Sequence, residues 1–226
     1  LTLHQRRPGV SASEEKSSWT DIAVEPPEVL FDEFKESISP LTEGDLLGLL
    51  ILQFPPWFEA GDSGLDYLSR CRSEFKGLRL GVEFRNETWL EPADRLESTL
   101  DRLIDLEIAL VASDFPDAGE LAPKLAAHVS LAEIASVRLH GRATGVWDKA
   151  GPDGGYVAEY SYSDGDLAAL VPILRSLSDE VDELHISFNV SPADGAVESS
   201  KRLLELIEEA EEEPDYTQWH PPAGRS

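Results

Sequence analysis

The stretch Arg79-Leu-Gly-Val-Glu-Phe-Arg-Asn-Glu-Thr-Trp-Leu90 decides the fold. Its apolar residues Leu80, Val82 and Phe84 carry Glu83 and Arg85 at the end of the run, and a polar turn follows before Trp89 and a helix opening near Pro92. A buried parallel strand delivers charged side chains to the rim of a sheet in this way. The layout recurs outward in both directions. Leu46–Phe54 is a buried strand stopped by Pro55-Pro56, with Gln53 as the polar residue near its end; Ile108–Ala112 runs into Ser113-Asp114. Ser136–His140 places Arg138 and His140 on one face at period two, with Arg142 extending the series, and Leu184–Phe188 ends at Asn189.

Helical periodicity fills the intervals. Glu28–Ile38 puts Val29, Leu30, Phe34 and Ile38 on one face, and Leu65–Phe75 buries Cys71. Ala93–Leu106 carries Leu96, Leu100, Leu103 and Ile104 at helical spacing; Asp166–Leu177 and Asp194–Glu211 follow later, and Leu121–Ala135 reads as a short helix plus a turn. Strand ends Gln53, Glu83, Asp114 and His140 recur about every 30 residues, the length of a strand-plus-helix unit. A parallel α/β sheet results, either doubly wound or a (β/α) barrel; no Gly-rich dinucleotide fingerprint follows any strand, which weighs against the dinucleotide-binding version. The Gly-rich connection from Gly141 to Gly155, with Trp147 and Asp148, reads as a lid or binding loop.

Residues 1–211 form a single barrel-like domain in this reading, with 1–45 an irregular N-terminal part holding one helix, and 212–226 an acidic, Pro-rich tail. Leu1–His4 resembles the tail of a strand, and Pro8–Glu25 is acidic and Ser-rich. The chain has no methionine and begins at Leu1, so it is read as lacking its natural start.

Nineteen Lys and Arg against 44 Asp and Glu leave a net charge of −25. That excess repels phosphate backbones and disfavours non-specific nucleic acid as a partner; it is the solvated acidic surface that halophiles use. One cysteine excludes an internal disulfide and fits a cytoplasmic setting, and no apolar run approaches the ~18 residues of a membrane span, so no membrane partner is expected. No cofactor is implied, and no Cys/His spacing marks a metal site. Oligomeric state is not encoded in any motif.

Five ordered pieces carry a family resemblance: Leu52-Gln-Phe-Pro-Pro56, Val82-Glu-Phe-Arg-Asn86 with Trp89, Ala112-Ser-Asp-Phe115, Val137-Arg-Leu-His-Gly-Arg142 with Trp147, and Phe188-Asn189. Through these the chain resembles the YecE-like family, domain of unknown function 72. The resemblance implies a TIM-type (β/α) barrel and no established activity. The family's leading Gly-Thr-Ser-Gly-Trp and Val-Glu-Ile-Asn strands are missing, so an incomplete barrel is expected, and Val190 stands where a second asparagine is usual.

A barrel gathers strand C-termini at one mouth. Glu83, Asp114, Arg138 and His140 are therefore the candidate catalytic residues, the carboxylates as acid and base, Arg138 and His140 holding an anionic group. Gln53, Arg85, Trp89, Arg142, Trp147 and Asn189 are the candidate substrate-binding residues, the tryptophans by stacking on a ring. The expected partner is a small polar or anionic ligand, processed by hydrolytic acid/base chemistry. Competing readings are metal-assisted phosphodiester or nucleic acid processing, a non-catalytic ligand-binding or truncated protein, and, for Glu83, Arg85 and Arg138, a purely structural ion-pair network.

Overall fold

The computed structural model describes residues 28–55, 57–114, 128–142, 158–191 and 193–212. Expectations for the N-terminal strand end, the stretch to Glu25, residues 121–127, the loop residues 143–155 with Trp147, and the tail beyond Glu212 lie outside them.

Five parallel strands form the central sheet in the order β1, β2, β3, β4, β6: β1 Leu50–Gln53, β2 Leu80–Glu83, β3 Ile108–Asp114, β4 Ile134–Leu139 and β6 Glu183–Phe188. Helices α1 Glu28–Glu43, α2 Asp62–Glu74, α3 Ala93–Asp105, α4 Asp164–Ser178 and α5 Ala193–Glu212 precede, connect or follow them, with a 3-10 turn at Glu87–Trp89. The order contains no reversal of the kind that defines a doubly wound sheet.

Strand parity sorts the side chains. Leu50, Leu52, Phe54, Leu80, Val82 and Phe84 join the helix-side core with Phe31, Leu68, Phe75 and Leu103. Further along, Ala112, Val137 and Leu139 join Leu167, Leu170, Leu174 and Leu203. The alternate residues, among them Ile51, Gln53, Gly81, Glu83, Ser136 and Arg138, point to the other, inner face. That face is strongly curled. β1 and β6 are four strand intervals apart, about 19 Å in a flat sheet, yet a Cβ at Gly48 would lie 3.5 Å from His185 Cε1. Arg79 at the start of β2 and Glu183 at the start of β6 meet at 3.0 Å.

Several boundaries differ from the sequence reading for local reasons. Helix α1 runs past Ile38 and through Pro40, because the Glu36 carbonyl that proline cannot serve accepts from Ser39 Oγ (2.9 Å). Residues 128–133 form no helix: Ser130 Oγ donates to Ile108 O (2.9 Å) and accepts from Leu110 N (2.7 Å), clipping a bend to β3, and β4 starts at Ile134. Helix α4 opens at Asp164, because Ser163 and Asp166 form a reciprocal capping box. Ile104, expected on the apolar stripe, is half exposed. A two-residue parallel pair of β5 Ala158–Glu159 with β7 Val190–Ser191 was not foreseen; strands this short carry no periodic signal.

Candidate functional site

Glu83 closes β2 and is wholly buried on the inner face. Three cationic or polar groups converge on it. Arg138, on β4, contacts Glu83 Oε2 through Nη1 and donates from the same nitrogen to Gln53 Oε1 at 3.2 Å. His140 Nε2 lies 3.1 Å from Glu83 Oε1, and Arg85 Nε stands 3.7 Å from that same oxygen. Burial pushes the Glu83 pKa up, but the His140 contact and the charges of Arg138 and Arg85 outweigh it and hold the carboxyl below its ordinary value. Glu83 is therefore an ionised acceptor at neutral pH. Burial lowers the Arg85 pKa, with Glu83 opposing and the neighbouring Arg138 charge reinforcing the shift.

Asn189, just beyond β6, is held by its backbone N–H donating to Leu139 O (2.8 Å), and its Nδ2 stands 3.0 Å from His140 Nδ1. An amide nitrogen only donates. With Asn189 so oriented, Nδ1 of His140 accepts, and Nε2 stands beside Glu83 Oε1 at 3.1 Å. Six of the expected site residues, Gln53, Glu83, Arg85, Arg138, His140 and Asn189, are thus brought together in one cluster. A cavity of about 500 Å³ is lined by Gly48, Leu49, Ile51, Ser136, His185, Ile186 and Ser187, where β1 comes near β6.

Asp114 does not join this cluster. It shares strand parity with Leu110 and Ala112, which turns its carboxylate to the helix side. There Arg142 Nε donates to both oxygens (2.9 and 3.2 Å) and Tyr162 Oη donates to Oδ2 (3.1 Å). Arg142, expected to bind substrate, is taken up by the same network: its Nη1 donates to Asp166 Oδ1 (3.2 Å). Burial opposes the charged form of Arg142, and the Asp114 and Asp166 partners still raise its pKa. The Ser163 hydroxyl and, beside it, Tyr160 and Arg142 lower that of Asp166. Tyr162 Oη also accepts from Gly141 N (2.8 Å). Gly141 has φ +82°, and an added Cβ would stand 2.6 Å from Tyr160 Cβ, so both conformation and space require glycine.

Trp89 is also corrected. It is 1% exposed, stacked on Phe84 (4.4 Å) and Phe58 (5.3 Å), and its Nε1 donates to Phe58 O (2.8 Å). Its ring packs in the core, not against a ligand, because the chain returns from β2 directly over α2, where Gly64 leaves room for the indole. Trp147 lies outside the described residues. Among the described residues no group of three or more His, Cys, Asp or Glu is placed to hold a metal ion. No helix there is long and apolar enough to cross a membrane.

Sequence reasoning passed over Ser113, Tyr160, Tyr162 and Asp166. For Asp166 and Ser163 a capping signal was present in Ser163-Asp-Gly-Asp166. The tyrosines carried no signal, since they precede α4 in an irregular segment.

The chain is 28% identical over 195 residues to the UPF0759 protein YunF of Bacillus subtilis (strain 168), covering 83% of this chain and 67% of that protein. A crystal structure of a DUF72 family protein from Enterococcus faecalis V583 matches with a TM-score of 0.73 at 24% identity, over 84% of this chain and 69% of the other. One from Thermotoga maritima MSB8 matches with a TM-score of 0.67 at 26% identity, over 83% and 68%. This chain therefore spans about two thirds of the length of these relatives. The family model described as "Protein of unknown function DUF72" matches residues 2–224, nearly end to end, and the chain belongs to that family.

Proposed function

We propose that this protein binds a small anionic substrate on the inner face of its sheet, at the strand ends carrying Glu83, Arg85, Arg138 and His140, and cleaves it by hydrolytic acid/base chemistry. The curled sheet is, in this reading, the arc of a TIM-type barrel whose strand C-termini form the mouth. One observation carries the proposal: Glu83, with no exposed surface, faces two guanidiniums and an imidazole. The cluster sets two guanidiniums beside one buried carboxylate, inside a chain of net charge −25. Guanidiniums gathered at strand ends are suited to hold a small anion.

The roles follow from the contacts. Glu83 Oε1, 3.1 Å from His140 Nε2, positions the imidazole with its other nitrogen toward Asn189. His140 Nδ1 is then the general base, taking a proton from water in place of the Asn189 amide, which turns to donate to the substrate. Arg138 and Arg85 hold the anionic group and stabilise the charge that develops on it. Gln53 fixes the Arg138 guanidinium. Asp114 and Arg142 organise the segment after β4 and take no part in proton transfer.

A panel of small phosphate and carboxylate esters, assayed with the wild-type chain and with His140→Gln, tests this. The expected result is turnover of at least one ester class, reduced at least 100-fold in the variant, the scale of a lost general base. Equal turnover in His140→Gln would end the assignment, and binding without turnover would move the protein to the non-catalytic class.

A further inference from the structure

The geometry points to Ser113 as a third anion-binding group and to a tetrahedral oxyanion, such as a phosphate or sulfate ester, as the ligand; this rests on the anionic-substrate reading above. Ser113 is 6% exposed and its Oγ, fully shielded, has no hydrogen-bond partner among the described residues. A buried hydroxyl left unsatisfied is disfavoured, and native structures rarely keep one without a reason.

Its placement supplies that reason. Asp114 and Ala112 point to the helix side, so Ser113 points inward with Val111, whose Cγ2 would meet a Cβ built on the inner-face residue Gly81 at 3.0 Å. The β3–β4 register sets Ser113 directly beside Arg138. The β2–β3 pairing ends at Val82 and Leu110, and Arg85, two residues beyond β2, brings its Nε to 3.7 Å from Glu83 Oε1 on the same inner face. Ser113 therefore shares the inner face with Arg138, whose guanidinium crosses β3 to reach Glu83 and Gln53. Both arginine side chains reach solvent, 12% for Arg85 and 18% for Arg138, so a ligand has access to their donors.

Two guanidiniums and a hydroxyl from separate segments suit an acceptor with oxygens in three directions. A planar carboxylate keeps its acceptor lone pairs in one plane. A tetrahedral oxyanion has an oxygen for each arginine and a third for Ser113 Oγ–H. Glu83 lies behind the arginines with its oxygens turned to Arg138, His140 and Arg85, and its negative charge sets an upper limit on affinity without occupying the hydroxyl.

Calorimetric titration with inorganic phosphate and, separately, with acetate, at constant ionic strength in chloride buffer, tests the proposal on wild type, Ser113→Ala and Arg138→Gln. Wild type is expected to bind phosphate, Ser113→Ala to bind it about 10- to 100-fold more weakly, and acetate binding to be the same in both. In the absence of phosphate, Ser113→Ala should melt no lower than wild type, which a structural role for the hydroxyl would not allow. Phosphate affinity unchanged by Ser113→Ala, while Arg138→Gln abolishes it, overturns the role of Ser113 and leaves the anionic site standing. Wild type binding acetate but not phosphate overturns the tetrahedral ligand alone. No anion bound by wild type overturns both readings.

Discussion

His140 Nε2 lies 3.1 Å from Glu83 Oε1, although the two residues sit on strands separated by the whole of β3. Only an inner face with strong curvature lets a β4 imidazole reach a β2 carboxylate, and the same curvature lets Arg138 touch both Glu83 and Gln53. Glu83 is the hub. Glu83→Gln keeps the shape but leaves Arg138 and Arg85 without their counter-charge, and is expected to cost about 3–5 kcal/mol. Urea unfolding of the two proteins measures it; a loss below 1 kcal/mol would mean that the carboxylate is not the organising charge.

Acid stability follows from the same residue. The folded pKa of Glu83 lies below its ordinary value of 4.5, so the unfolded chain takes up the proton first. The stabilisation is complete above about 4.5 and is lost as pH falls through the folded pKa. Unfolding free energy measured from pH 6 to pH 3 should fall more steeply for wild type than for Glu83→Gln. Parallel curves would contradict this.

Tyr162→Phe should weaken the second network without touching the first. It removes one hydroxyl that serves both Asp114 and Gly141 N, an expected loss of about 1–3 kcal/mol. Anion binding at the Glu83 cluster should be retained, and titration calorimetry on the refolded variant checks that separation.

Trp89→Ala should cost about 3–5 kcal/mol, the scale of an emptied aromatic core position. Ligand affinity per folded molecule should be unchanged. A stable variant with lost binding would restore the stacking role that burial argues against.

The parallel strands and their order of helices were legible because each strand is a short apolar run with an abrupt stop, as in Leu80–Arg85; the buried strand expected from Leu46 forms only over Leu50–Gln53, with Leu46 exposed. Convergence of Glu83, Arg138 and His140 was legible too, since all close strands of one sheet. Which face Asp114 takes was not. Ile108–Asp114 is buried along its whole length, so no alternation distinguishes Ser113 from Asp114, and the more ionisable of the two was the natural choice. Trp89 failed differently: a tryptophan after a polar turn reads the same whether it caps a core or a ligand, and only the Phe58 and Phe84 stacks decide. The Asp166 network required knowing that Arg142 leaves β4 toward α4, a long-range fact that local spacing does not carry.

The most direct test of the account is nitrogen NMR of the imidazole side chains during titration with inorganic phosphate. In its neutral form His140 is predicted to carry its proton on Nε2, and its Nδ1 resonance to move saturably as phosphate binds, while that of the exposed His185 does not follow the same curve. A His140 signal that stays fixed while phosphate is added, or that shows the proton on Nδ1, would contradict an anion site built on the Glu83–His140 pair.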